Sequence, residues 1–204
     1  GRCVCGSSRR IEAGCAIDRT GCGHHRHASP GWPAAAEGAC LLPMKPILTL
    51  ATCHTPEGVL LALIKHDRDY FLMLGGGQLM STEACSSEQT MAELACANMP
   101  AKPRVLIGGF GFGFTLKRVL ELSPANAVVE VAELLPEILA WNREFMHEVN
   151  GHLMDDPRVA VKLRDVFDLM DGNEANRYHA ILLDVDNSPD PLVQKGNARL
   201  YARP

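Results

Sequence analysis

The chain has 204 residues, which suits one α/β domain with an appendage and excludes two full catalytic domains. Hydrophobic residues make up 47% and charged residues 22%, a globular balance that excludes disorder throughout. A net charge of −4 offers nucleic acid no bulk attraction, and no apolar run approaches the ~18 residues of a membrane span. Neither nucleic acid nor a membrane is therefore expected as a partner.

Residues 1–43 differ from the rest. Cys3, Cys5, Cys15, Cys22 and Cys40 lie there with His24, His25 and His27, while Val, Ile and Leu together number five. So few large aliphatics bury little apolar surface, and no continuous apolar stretch marks a secretory signal. The thiols and imidazoles are donors that zinc accepts, but the paired clips of a zinc site are missing. No metal is expected. The segment reads as an unstructured leader, translated from upstream of a start at Met44.

Residues 44–100 read as a β-rich segment followed by a helix. Ile47–Thr52, Val59–Ile64 and Tyr70–Leu74 are short apolar runs separated by turn chemistry at Pro56-Glu57-Gly58 and His66–Asp69. Gly75-Gly76-Gly77 ends the third. Ser86 or Ser87 then caps a helix to about Asn98, with Met91, Leu94 and Ala95 expected on its inner face.

Residues 101–204 alternate strand and helix. The strands are Arg104–Gly108, Ala127–Ala132, Val159–Leu163 and Tyr178–Asp184; the helices are Thr115–Leu122, Pro136 to about Val149, and Val166–Met170. Such alternation predicts right-handed βαβ units around a parallel sheet. Ligands of such sheets sit outside the carboxyl ends of the strands. There the sequence places the loop Gly109-Phe110-Gly111-Phe112-Gly113, then Glu133, Asp165, Asp184 and Asp186.

The loop reads Gly-x-Gly-x-Gly and misses the dinucleotide fingerprint G-x-G-x-x-G, which needs glycine at Phe114. A nicotinamide-dependent oxidoreductase is disfavoured, while a nucleoside against the glycines is allowed. Glu133 follows Gly109 at close to the roughly 20-residue offset of an acid that holds ribose hydroxyls. Glu130 falls inside its strand, out of reach. Asp165 suits either an adenine amino group or the N-cap of the helix after it. Trp141, Phe145 and Met146 read as helix-to-sheet packing. His147, His152 and His179 are isolated, and Cys53, Cys85 and Cys96 read as small buried residues.

Val105–Gly113, Val131-Ala132-Glu133-Leu134, Arg164-Asp165-Val166 and Ala180–Asp184 together resemble the class I S-adenosylmethionine-binding fold. Within it the chain is similar to the spermidine synthase-like (polyamine aminopropyltransferase-like) family over roughly residues 47–201. That family carries a small N-terminal β domain, and Gly77-Gln78-Leu79-Met80 resembles its Asp-Gly-x-x-Gln element. The resemblance implies a Rossmann-like sheet binding S-adenosylmethionine or its decarboxylated form. It implies that Gln78, Gly109, Gly111, Gly113, Glu133 and Asp165 contact the cofactor, and that Asp184 is the base for an attacking amine. Asp186 and Asn187 stand where the family reads Asp-x-x-Asp-Pro, an element that helps to hold the polyamine.

The reading that follows is a cytoplasmic transferase of polyamine biosynthesis moving an aminopropyl group to an amine. Methyl transfer, or a non-catalytic binding module of the same fold, is the alternative. Only four parallel strands can be counted. The sheet is expected to be truncated after the fourth, whose open edge association as a homodimer would cover.

Overall fold

The structure is a computed structural model describing residues 45–171 and 177–185. The leader at 1–43, and Asp186 and Asn187, lie outside the described residues.

Strands β1 (Ile47–His54), β2 (Leu60–His66), β3 (Asp69–Leu74) and β4 (Gly77–Ser81) form an antiparallel sheet in chain order. Alternation selects its buried face. Leu61 and Leu63 lie opposite Leu74 and Leu72, and all four are buried with Tyr70. β4 was not expected. Its Gly77-Gln78 start has little strand propensity, but Gly75 and Gly76 both take positive φ (56° and 88°). That is the backbone of a two-residue hairpin turn, so the chain reverses rather than ends.

Helix α1 (Ser86–Cys96) starts from Cys85 with no side-chain cap, which corrects the expected serine cap. Of its expected inner face, Met91 and Ala95 pack against the core but Leu94 does not. Leu94 is 75% exposed, whereas Glu88 and Ala92 are buried. α1 packs against α2 (Phe114–Leu122), and its Ala92 methyl is fully buried in the core.

The parallel sheet contains β5 (Arg104–Gly108), β6 (Val128–Glu133), β7 (Val159–Leu163) and β8 (Ala180–Leu183), ordered β7-β6-β5-β8. Val105, Ile107, Val129 and Val131 join one core with Leu61, Leu63 and Leu72 of the first sheet. Leu106 and Ala132 pack with Val166 of α5 (Val166–Met170) on the other face. Burial on both faces is why β5 reads as an unbroken apolar run from Val105 to Ile107. α3 (Pro136–Phe145) stops before the expected Val149, because Met146 leaves helical geometry (ψ −1°) and a short α4 (His147–Asn150) follows. Trp141 and Met146 are buried in the core as expected. Cys53, Cys85 and Cys96 are half-buried free thiols rather than fully buried ones. Among the described residues β8 pairs only with β5, and Ile181 on it is 44% exposed.

Glu130 explains how β8 is held. Its buried carboxylate, mid-strand on β6, accepts from Arg104 at 3.3 Å, Arg177 at 3.0 Å and the Tyr178 hydroxyl at 2.9 Å. Burial pushes its pKa up, but the Arg177 and Tyr178 hydrogen bonds outweigh that and hold it below the ordinary value. Its contribution is therefore present above the ordinary carboxylate range and lost as pH falls through the lowered value. Glu130→Ala is expected to lower unfolding free energy by about 3 kcal/mol in a denaturant titration at pH 7, because two guanidinium groups lose their buried partner. The difference should narrow in acid.

Candidate active site

The strand order reverses between β5 and β8, and a cavity of about 450 Å³ opens there, at the carboxyl ends of the parallel strands. Gly109 and Gly111 follow β5, Glu133 ends β6, Arg164 and Asp165 follow β7, and Asp184 follows β8; all border the cavity. The first sheet supplies the facing wall through Leu61, Leu72, Leu79 and Met80, and α1 adds Glu88 and Met91.

Gly109 is set by a close approach of two strand ends. Its N–H donates to the Ala132 carbonyl at 2.8 Å and its φ is +86°. A Cβ there would run into the Asp184 carbonyl oxygen. Gly109→Ala is thus expected to displace Asp184 from the cavity and to lower the melting temperature by several degrees, a loss of roughly 2–4 kcal/mol. At Gly111 a Cβ would instead meet the flexible end of Met80, inside the cavity. Gly113 does not line the cavity. It starts α2 in the left-handed region, and a Cβ there would strike Leu153.

The loop is clasped by side chains. Glu133 Oε2 accepts from the Phe110 N–H at 2.9 Å, and Oε1 accepts from the N–H groups of Leu134 (2.7 Å) and Leu135 (2.9 Å). Burial drives the Glu133 pKa up against these hydrogen bonds, the N–H of Gly111 included. Asn142 Nδ2 donates to the Gly111 carbonyl at 2.7 Å, and Asn150 Nδ2 to the Phe112 carbonyl. Glu133 thus ties the loop to the end of β6 as well as bordering the cavity. None of these partners is visible in sequence spacing.

Asp184 is also strongly perturbed. Burial raises its pKa to about 6, with Glu88 pushing the same way and a 2.7 Å hydrogen bond from Thr115 Oγ1 to Oδ2 opposing. Among the described residues Oδ1 has no hydrogen-bond donor, so it is the oxygen that could accept from a ligand. Asp165 Oδ1 caps α5 by accepting from the Phe167 N–H at 2.9 Å, and Asp165 also borders the cavity. Both readings of that residue are compatible with its place. Gln78 sits at the exposed start of β4, opposite Met73; its neighbours Leu79 and Met80 line the cavity instead. Glu88, Thr115 and Arg164 are functional candidates that the sequence reading missed. A carboxylate at a helical position destined for burial was the one available signal.

His147 and His152 stack at 5.9 Å, and His179 Nδ1 accepts from the Arg104 N–H at 3.0 Å. Among the described residues no group of three or more His, Cys, Asp and Glu could hold a metal, and no helix is long and apolar enough to cross a membrane.

No family model matches the chain. A polyamine aminopropyltransferase 1 of Hyperthermus butylicus is 30% identical over 180 residues, 85% of this chain and 57% of that protein. The chain is spermidine synthase-like. The spermine synthase of Arabidopsis thaliana is 25% identical over 62% of this chain and 35% of its own length. Putrescine N-methyltransferase 2 of Nicotiana attenuata is 30% identical over 57% of this chain and 29% of its own. The chain thus spans little more than half the length of the first of these relatives, and about a third of the others. The spermidine synthase of Thermotoga maritima superposes with a TM-score of 0.57 at 17% identity, over 67% of this chain and 47% of that one. The spermidine synthase-like chain therefore has the class I methyltransferase-like fold, with the small antiparallel sheet preceding it.

Proposed function

We propose that this protein binds decarboxylated S-adenosylmethionine and transfers its aminopropyl group to a polyamine nitrogen. The observation that carries this is the charge of one cavity. Among the described residues Glu88, Glu133, Asp165 and Asp184 line it against a single guanidinium, Arg164, so it suits ligands that are cations. A sulfonium nucleoside bearing an extra ammonium and an ammonium acceptor both meet that demand. The glycine cradle agrees with a nucleoside, because Gly109 and Gly111 leave no Cβ between the loop backbone and the cavity. Leu134, Ile138 and Val166 supply apolar walls for a base, which Asp165 and Glu133 would flank on its amino and ribose sides.

When bound, the sulfonium supplies an activated carbon and leaves as a neutral thioether. Asp184 does the protein's part. Above pH about 6 it is a carboxylate. Its free oxygen then holds the acceptor ammonium in place and accepts the proton that must leave before nitrogen can attack. Thr115 fixes the other oxygen, so the accepting one is oriented rather than free to rotate. Association through the exposed β8 edge is a further part of this reading.

The relatives named as putrescine N-methyltransferases favour methyl transfer from S-adenosylmethionine as the second reading, with Arg164 facing the extra carboxylate. Calorimetry with both sulfonium nucleosides and NAD, followed by turnover assays with putrescine and spermidine, separates the cases. Tighter binding of the decarboxylated form, with turnover, is expected. Binding of neither sulfonium nucleoside would sink the proposal, and binding without turnover would make the chain a non-catalytic module.

A further inference from the structure

Asn142 and Asn150 are polar side chains in the stretch that buries Trp141 and Met146, and they are themselves only 7% and 6% exposed. A buried amide is tolerated where its hydrogen bonds are made, and both send theirs to the glycine loop. Asn142 Nδ2 donates to the Gly111 carbonyl at 2.7 Å and to the Ile138 carbonyl of its own helix at 2.9 Å. Asn150 Nδ2 donates to the next carbonyl of the loop, that of Phe112. Asn150 gains little else. Among the described residues its Oδ1 is buried without a hydrogen-bond partner. An amide that leaves one of its own atoms unsatisfied serves the loop rather than the packing around it.

The helix break at Met146 gains a purpose from this pair. The two asparagines are eight positions apart. One straight helix would separate them by about 12 Å along its axis and by nearly a quarter-turn around it. The carbonyls they serve belong to adjacent residues, whose Cα atoms are only about 3.8 Å apart. Ending α3 at Phe145, restarting at His147 and closing α4 with Gly151 at φ +73° lets both amides reach the same short loop. Neither asparagine borders the cavity, whereas Gly111 does. We propose that Asn142 and Asn150 are positioning residues for the nucleoside, holding the Gly111 and Phe112 peptides from behind. This rests on the nucleoside-binding part of the reading above and adds the residues that keep the loop in its binding shape. A loop released from either amide visits other shapes, and apparent affinity falls with the fraction that stays competent.

The test pairs binding with local exchange. The full chain and its variants are titrated calorimetrically with 5′-methylthioadenosine, and amide hydrogen exchange is followed across residues 104–133. Asn142→Leu and Asn150→Leu keep the side-chain volume and remove the donor. Each should weaken binding by about tenfold or more and speed exchange in residues 109–113, with exchange in β5 and β6 unchanged. Asn142→Gln keeps an amide donor and should recover part of the affinity. Asn142→Ser, whose hydroxyl is too short for the loop, replaces Asn142→Leu if that variant does not fold. Folded variants that bind as tightly as the unaltered chain overturn the proposal. So does a loss of affinity that comes with faster exchange throughout the sheet, which marks the asparagines as supports of the fold alone. If the unaltered chain binds no nucleoside, the reading above falls. Loop exchange then tests the rear support by itself, and unchanged exchange in both leucine variants overturns it.

Discussion

Asp184→Asn is expected to slow aminopropyl transfer by about 10²–10⁴-fold, the usual worth of a positioned base, with nucleoside affinity in calorimetry nearly unchanged. The amide keeps the volume and still accepts from Thr115 Oγ1, but it cannot take a proton from the acceptor ammonium. In the unaltered chain kcat/KM for the amine should fall on the acid side of pH about 6, where the carboxyl is protonated, and the variant should lack that limb. A second, activity-free readout has the opposite sign. The folded state holds Asp184 at about 6 against an ordinary value of 3.8. The protonated form is thus preferred on folding. The stability this gives is full below pH about 4 and is lost as pH rises through about 6. At pH 8 without ligand, Asp184→Asn should therefore be more stable than the unaltered chain by about 2–3 kcal/mol in a denaturant titration. Equal loss of rate and nucleoside affinity would instead mark Asp184 as a structural residue.

The second large effect is expected at Glu133. Three backbone N–H groups, from Phe110, Leu134 and Leu135, have its two oxygens as acceptors. Glu133→Gln keeps one oxygen and turns an NH₂ toward the remaining donors, leaving at least one buried N–H without an acceptor. That costs about 2–4 kcal/mol of stability. The loop from Gly109 to Gly113 loses its tie to β6, so sulfonium nucleoside affinity should fall by more than about 100-fold. Calorimetry below the variant's melting temperature checks this. A variant that binds nucleoside as tightly as the unaltered chain would show that the loop holds its shape without Glu133.

The parallel half of the fold was legible because its signals are local. The apolar runs at 104–108, 128–133 and 159–163 are strands of the parallel sheet, and each leads into a glycine or an acid that borders the cavity. What was not legible depends on partners distant in sequence. α1 buries Ala92 and leaves Leu94 exposed, whereas a sequence ranked by hydrophobicity favours Leu94 over a methyl. Gln78 sits in a motif-like context, but the register shifts at Leu79, between the Met73–Gln78 and Leu72–Met80 pairs, so that Leu79 and Met80 both line the cavity while Gln78 stays exposed. The offset that singled out Glu133 does bring it to the cavity, yet the N–H groups it accepts from are backbone, which spacing cannot announce.

The facing wall of the cavity has a consequence for how this chain can be divided. Leu61, Leu72, Leu79 and Met80 come from the antiparallel strands, while the glycine loop and Asp184 come from the parallel ones. Residues 45–81 are therefore half of the vessel, although in sequence they look like an accessory to a nucleotide-binding domain. A fragment beginning near residue 101 would keep every acid that follows a strand of the parallel sheet and lose the surface those acids work against. Changes on the two sides must be made in concert: a bulkier residue at Met80 presses on the same space that the missing side chain of Gly111 leaves open.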